Sequence, residues 1–152
     1  MKFNTKTIHG GQKPEKLTGA LVPPIFQTST YAQSSLEADQ EYNYSRGANP
    51  TRAALEGSLA SIENGTHGFA FSSGLAAIDC VLRTLNPGDE VIAGNDLYGG
   101  TYRMFKRLFQ KYGLEFTYVD IDSGENISKE ITEKTKLVWL ETPTNPLMKI
   151  AD

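Results

Sequence analysis

Ser72-Ser73-Gly74 is the segment of this chain best suited to hold an anion. Ahead of it, Gly68-Phe69-Ala70-Phe71 reads as a buried strand over 68–72. Behind it, Leu75, Ile78, Leu82 and Leu85 repeat at helical spacing and predict a helix over 74–86. A strand that delivers hydroxyls and a glycine to the start of a helix can cradle phosphate. The first N–H groups of a helix have no partner within it, and the macrodipole leaves that end positive. Gly74 has no Cβ to keep a phosphate away from the backbone, and the serine hydroxyls can cap or donate. The same triplet also serves as an ordinary N-cap, and taken alone it does not separate the two uses.

The rest of the chain must position that triplet. Its 152 residues are enough for one domain with a proper core, and 39% hydrophobic with 22% charged residues fits a soluble globular protein. Fifteen basic and eighteen acidic residues give a net charge of -3, with no basic tract to suggest nucleic acid or an anionic membrane. Apolar runs are a few residues long, too short to span a bilayer, and Met1 to Lys6 lacks the apolar core of a secretory signal. A lone Cys80 makes no internal disulfide. Beside Ile78 and Leu82 it reads as a buried structural thiol, and a cytoplasmic location is the natural expectation.

Residues 1–48 show no sustained periodicity, yet Ile25, Phe26, Tyr31, Tyr42 and Tyr44 are too aromatic for a disordered tail. They are expected to form an ordered arm packed on a neighbouring subunit. From Asn49 the pattern becomes regular. Asn49-Pro50 starts a helix that carries Leu55, Leu59 and Ile62 and stops at Asn64-Gly65. A turn at Asn86-Pro87-Gly88-Asp89 leads to a strand at Glu90–Gly94. Thr101 is expected to cap a helix with Tyr102, Phe105, Phe109 and Tyr112 on one face. A strand at Leu114–Asp120, a short helix at Asn126–Glu133 with Ile127 and Ile131 inward, and a strand at Leu137–Leu140, apolar on both faces, complete the pattern. Strands alternating with helices predict an α/β fold with a parallel sheet covered on both sides. Ligands in such sheets bind beyond the carboxyl ends of strands. Ser72-Ser73-Gly74, Asn95–Gly100 and Glu141–Pro146 each follow a predicted strand.

These segments carry a resemblance. Ile8-His9-Gly10-Gly11, Gly19-Ala20 with Pro23-Pro24-Ile25, Tyr44-Ser45-Arg46 with Asn49-Pro50-Thr51, Ser72-Ser73-Gly74, Asp96-Leu97-Tyr98-Gly99-Gly100-Thr101 and Glu141-Thr142-Pro143-Thr144-Asn145-Pro146 stand in one order. That order resembles the pyridoxal-phosphate enzymes of cysteine and methionine metabolism, the group containing cystathionine γ-synthase and cystathionine γ-lyase. The resemblance implies a fold type I pyridoxal 5'-phosphate (PLP)-dependent transferase-like architecture. In it 1–48 is the arm and 49–152 an incomplete PLP-binding large domain. It implies that Ser73, Gly74 and Leu75 hold the cofactor phosphate, although the family often has Met at the place of Leu75. Tyr44 and Arg46 would reach the phosphate of a neighbouring subunit, Arg through its planar fork. Tyr98 would stack on the pyridine ring and, with Tyr44, move protons, while Asn145 would bond the ring oxygen. Glu141 fits support of the site as well as chemistry. A homotetramer built of dimers with shared sites is implied, with O-acylhomoserine, cysteine and cystathionine as substrates.

Two expected residues have no counterpart. The family's lysine, which holds the cofactor as a Schiff base, follows a Ser-x-Thr-Lys pattern. Thr135-Lys136 has Glu133 where the pattern has Ser and leads into a strand, and Thr5-Lys6 opens the chain. Neither fits. Asp152 is too close to the last motif to be the aspartate that pairs with the pyridinium nitrogen. The expectation is therefore an N-terminal fragment, inactive alone. Gly100 stands where methionine γ-lyases carry cysteine, β-lyases usually lack the Tyr-Gly-Gly-Thr loop, and sulfhydrylases match less well around Ser45–Asn49. Cystathionine γ-synthase or γ-lyase is the preferred reading. A non-catalytic assembly partner is the alternative from another class. A generic nucleotide-binding domain is disfavoured by the absence of Gly-x-Gly-x-x-Gly or a Walker-type lysine loop.

Overall fold

Asn49 and Pro50 start a helix as their types require. The Asn49 Oδ1 accepts the Thr51 N–H at 2.8 Å, Pro50 takes the first helical position, and α2 runs Pro50–Ile62. A computed structural model describes residues 1–36 and 39–151, so Asp152 lies outside the described residues. The chain forms two compact units, Met1–Ala70 and Phe71–Asp152, and α2 belongs to the first.

In the first unit a helix not expected from the sequence, α1 (Phe3–His9), packs on α2. Seven residues show too little periodicity to reveal a helix. The chain leaves α1 through Gly10-Gly11. Gly11 has φ +69°, and a Cβ there would land on the Gly57 carbonyl of α2. Only glycine fits such a crossing. Among the described residues between Pro24 and Tyr44 the chain is largely irregular, with an antiparallel bridge between Thr30 and Tyr44.

The strand expected at 68–72 does not form. The Ala70 N–H donates to the Glu56 Oε1 at 2.9 Å, and Phe69 is 74% exposed. An extended apolar segment becomes a strand only beside another strand, and none among the described residues pairs with it.

The second unit holds a three-stranded parallel sheet in the order β2-β1-β3, with β1 at Glu90–Gly94, β2 at Glu115–Val119 and β3 at Thr135–Trp139. The α/β class and the parallel sheet expected from the sequence are present. Helices α3 (Gly74–Leu82), α4 (Gly99–Arg107) and α5 (Gly124–Glu130) alternate with the strands. Every residue of β1 is buried, as its central place requires. Val91 stands between Phe116 and Leu137, and Ala93 between Tyr118 and Trp139. The small Ala93 leaves room for Phe105 of α4, whose ring stacks on Phe116 at 4.6 Å and meets Trp139 edge-on at 6.0 Å. Phe105 is fully buried, which stabilises by about 2–3 kcal/mol relative to exposure.

Elsewhere the expectations need correction. The helix read over 74–86 stops at Leu82, followed by turns. Thr101 is not the cap of α4. The helix starts at Gly99 after Tyr98, and Phe109–Tyr112 is a separate 3₁₀ turn, so Tyr102 and Tyr112 face outward while Phe105 and Phe109 are buried. α5 starts at Gly124 and ends before Ile131, which is 55% exposed. β3 alternates because only its Leu137 and Trp139 face packs on the core, and Val138, like Leu140 just past the strand, lies open. The sheet is therefore not covered on both faces along β3. Cys80 is exposed, not buried.

Candidate functional site

The site begins with α3. Ser73 has extended backbone, and its Oγ accepts the Ala76 N–H at 3.2 Å. That satisfies one orphan donor of the helix start. The Gly74 and Leu75 N–H groups have no partner among the described residues. A Cβ built on Gly74 meets no protein atom within 4 Å, and its φ is not positive. Neither backbone conformation nor packing inside the chain calls for glycine here. What the missing Cβ leaves is room for something outside the chain.

Opposite this helix start, Tyr98 precedes α4 and is 47% exposed. No side chain within α4 caps it. The cap comes from the end of β3, where the Glu141 Oε2 accepts the Tyr98 N–H at 2.8 Å. The Glu141 Oε1 accepts from Thr101 Oγ1 at 2.8 Å and from Trp139 Nε1 at 3.4 Å. A carboxylate at a helix N-terminus also complements the dipole. The Tyr98 ring folds back over the start of its helix so closely that a Cβ on Gly100 would strike it. The close approach of the ring thus calls for glycine at 100, whereas a Cβ at Gly99 would meet only the Arg103 guanidinium, 3.2 Å away.

Around these elements lies a cavity of about 320 Å³, lined by Ser73, Gly74, Leu75, Ile78, Tyr98, Thr101 and Glu141. The start of α3 opens on it and favours an anion, whereas the start of α4 is already taken by the Glu141 carboxylate. The sequence-predicted residues Ser73, Gly74, Leu75 and Tyr98 are brought together here. A larger depression of about 380 Å³, between Leu82, Leu85, Pro87, Phe109, Tyr112 and Leu114, has apolar walls. Its one charged lining residue, Arg83, already donates to Asp79 from Nε at 2.6 Å and from Nη2 at 3.2 Å. It has no converging polar groups.

Asn145 does not line the cavity. It is exposed, on the loop that follows β3. That loop is fastened by Asp96, which sequence reasoning gave no role. The buried Asp96 carboxylate accepts the hydroxyl of Thr144, itself 1% exposed, and the Leu147 N–H at 3.0 Å. Thr144 Oγ1 in turn accepts the Lys149 N–H at 2.7 Å. Lys149 Nζ then reaches Asp120, just past β2, at 3.2 Å. Hydrogen bonding from Lys149 holds the Asp120 carboxyl below its ordinary value, and the same bond raises Lys149. All three post-strand loops are laced together. No local pattern announces such bonds, because their partners lie 29 to 51 positions apart.

Tyr44 and Arg46 belong to the first unit. Ser45 between them turns inward, its N–H donating to the Ser29 carbonyl and its Oγ to the Thr28 carbonyl. Asn49 Nδ2 and Arg52 bond the same turn, Asn49 at Ser45 Oγ (2.9 Å) and Arg52 at the Ser45 and Gly47 carbonyls. The flanking side chains are consequently turned out, and the Arg46 guanidinium sits 4.9 Å over the Tyr44 ring.

The sequence profile of the Cys/Met metabolism PLP-dependent enzymes matches residues 4–152. This chain belongs to that family. Over 98% of its length it is 49% identical to a probable cystathionine γ-synthase of Herpetosiphon aurantiacus, of which it covers 47%. Over 99% of its length it is 48% identical to a cystathionine β-lyase of Coxiella burnetii, of which it covers 39%. The crystal structure of cystathionine γ-lyase from Lactobacillus plantarum, complexed with L-serine, superposes with a TM-score of 0.91 at 46% identity, over 99% of this chain and 39% of that one. The chain thus spans less than half the length of these relatives. The family depends on PLP, in agreement with the cofactor expected from the motifs. Synthase, β-lyase and γ-lyase relatives match this segment at nearly equal identity, so overall identity does not separate the three activities. Among the described residues no helix is long and apolar enough to cross a membrane.

Proposed function

We propose that the protein containing this chain is a PLP-dependent transsulfuration enzyme acting at the γ-carbon of homoserine-derived amino acids, a cystathionine γ-synthase or γ-lyase. The observation that carries the reading is the start of α3, where two free N–H groups and a glycine that nothing in the chain requires face Tyr98 across a cavity. The residues fit the cofactor. The Gly74 and Leu75 N–H groups donate to phosphate oxygens. The Ser73 Oγ accepts from Ala76, which leaves its hydroxyl hydrogen for the same anion. The Tyr98 ring provides the flat face on which a pyridine ring stacks, and its phenol exchanges protons with the substrate. Asn145 bonds the ring oxygen.

Tyr44 and Arg46 work across a subunit boundary, carried by the arm of residues 1–48, in a homotetramer of dimers. Arg46 supplies a bidentate grip on phosphate. The lysine that holds the cofactor lies outside residues 1–152 in this reading, and none lines the cavity. This segment is inactive alone. When bound, PLP supplies an electron sink next to the amino-bearing carbon. O-acylhomoserine with cysteine, or cystathionine, are the substrates, and the enzyme works in the cytoplasm.

A second reading, β-cleavage of cystathionine, is supported by the β-lyase relative at 48% identity. Product analysis on the full-length protein separates them. Cystathionine formed from O-succinylhomoserine and cysteine marks the synthase, a four-carbon 2-oxo acid from cystathionine marks γ-cleavage, and a three-carbon one marks β-cleavage. None of the three products from a cofactor-loaded protein would remove the reading.

A further inference from the structure

We propose that Asp96 and Glu141 are positioning residues that form a reciprocal clamp, each carboxylate carried by one post-strand loop and fixing the other. The inference rests on the proposed function, because what the clamp positions is Tyr98 and Asn145. β1 and β3 are neighbours, with Ala93 beside Trp139, so their carboxyl ends emerge together. From the β3 side Glu141 reaches across to the Tyr98 N–H and the Thr101 hydroxyl. From the β1 side Asp96 reaches back to the Thr144 hydroxyl and the Leu147 N–H. The two straps run in opposite directions, and the loops bearing Tyr98 and Asn145 become one body.

Glu141 lines the cavity, and a carboxylate there invites a reading as a general base. Its bonds argue otherwise. Both oxygens are engaged by Tyr98, Thr101 and Trp139, and Thr101 is fully buried. The charge on the carboxylate is what strengthens the bonds that hold Tyr98 and Thr101. Asp96 is 7% exposed and does not line the cavity, so it acts only through the loop it fastens. Glutamine or asparagine in these places keeps the shape but puts an amide N–H₂ against existing donors.

The test uses the full-length protein and two readouts. Amide hydrogen exchange is measured without added cofactor. Glu141→Gln is expected to speed exchange in the segment around Tyr98, and Asp96→Asn around Leu147, each by about tenfold or more, while Val91 to Ala93 stay protected. Acceleration spread equally over β1 would mean general destabilisation and overturn the clamp. The affinity for PLP is then measured in a double-mutant cycle with Tyr98→Ala. Glu141→Gln should weaken binding about tenfold when Tyr98 is present and less than about twofold when it is not. Equal weakening in both backgrounds would show that Glu141 acts on the cofactor directly. Should Glu141→Gln not fold, Thr101→Val removes one strap bond with little change of shape and Thr101→Ser restores it. Loosening around Tyr98 in the first and recovery in the second are required. If the parent binds no PLP, the functional reading fails, while the exchange pattern still decides the clamp.

Discussion

The Tyr98 ring occupies the space that a β-carbon on Gly100 would need. Alanine in a helix is ordinarily favoured over glycine by about 0.5–1 kcal/mol. Gly100→Ala is expected to depart from that rule by swinging the ring off the helix start. PLP affinity should fall by about three- to tenfold, the scale of one lost ring stack. Equilibrium binding of PLP to the full-length variant checks this, and unchanged affinity would remove the ring from the site.

Gly74 makes the complementary prediction. A methyl group there meets nothing in the chain. Gly74→Ala should leave the thermal midpoint unchanged or slightly raised, with at most about 1 kcal/mol from helix propensity. The methyl would crowd a bound phosphate, and affinity should drop by about tenfold or more, the scale of one methylene too many in a packed site. Parallel loss of stability and affinity would contradict the account.

At the opposite end of the sheet, Glu90 joins three segments. Its carboxylate accepts from Thr135 at 2.7 Å, Thr117 at 2.7 Å and Thr132 at 2.9 Å. These bonds, that from Thr135 foremost, hold its carboxyl below the ordinary value, against the opposing effect of burial. A carboxyl lowered by folding contributes stability above its unfolded value, near 4.3 for a glutamate. That contribution disappears as pH falls through the lowered folded value. Glu90→Gln should therefore flatten the acid side of a plot of thermal midpoint against pH. Glu90→Ala should cost about 1–3 kcal/mol at neutral pH. An acid limb identical to the parent's would mean that Glu90 carries none of it.

Tyr118 offers a stabilising substitution. Its hydroxyl is buried without a hydrogen-bond partner among the described residues, beside the Tyr102 ring at 5.6 Å. Burial, assisted by Tyr102, pushes its phenol up to about 12. Tyr118→Phe removes the unsatisfied oxygen and keeps the ring packing, so stability should rise by about 1 kcal/mol. A lower thermal midpoint would show that the hydroxyl has a partner after all.

What the sequence discloses follows the range of each signal. Asn49-Pro50 and the buried run of β1 act within a few residues, and both are legible. The segment 68–72 has the composition of a strand, but pairing is decided by what lies alongside. Thr101 has the residue type of a cap, which sets the expected start of α4 too late in the chain. The true cap, Glu141, is 43 positions from Tyr98 and has no local signature. In the site, Ser73 and Gly74 were readable from backbone chemistry alone, while Tyr98 came through the resemblance. Asp96 and Thr144 carry no role that the sequence discloses, since only their burial and mutual bond reveal one.

In the proposed function this chain supplies the phosphate cradle and the ring platform of a PLP site. The most direct test is the visible absorption spectrum of the full-length protein, purified with excess PLP and recorded before and after borohydride. The account predicts a visible band that survives removal of free cofactor, is abolished by reduction, and weakens in Gly74→Ala at limiting PLP. A folded full-length protein that shows no such band would contradict it and leave the start of α3 as an ordinary capped helix.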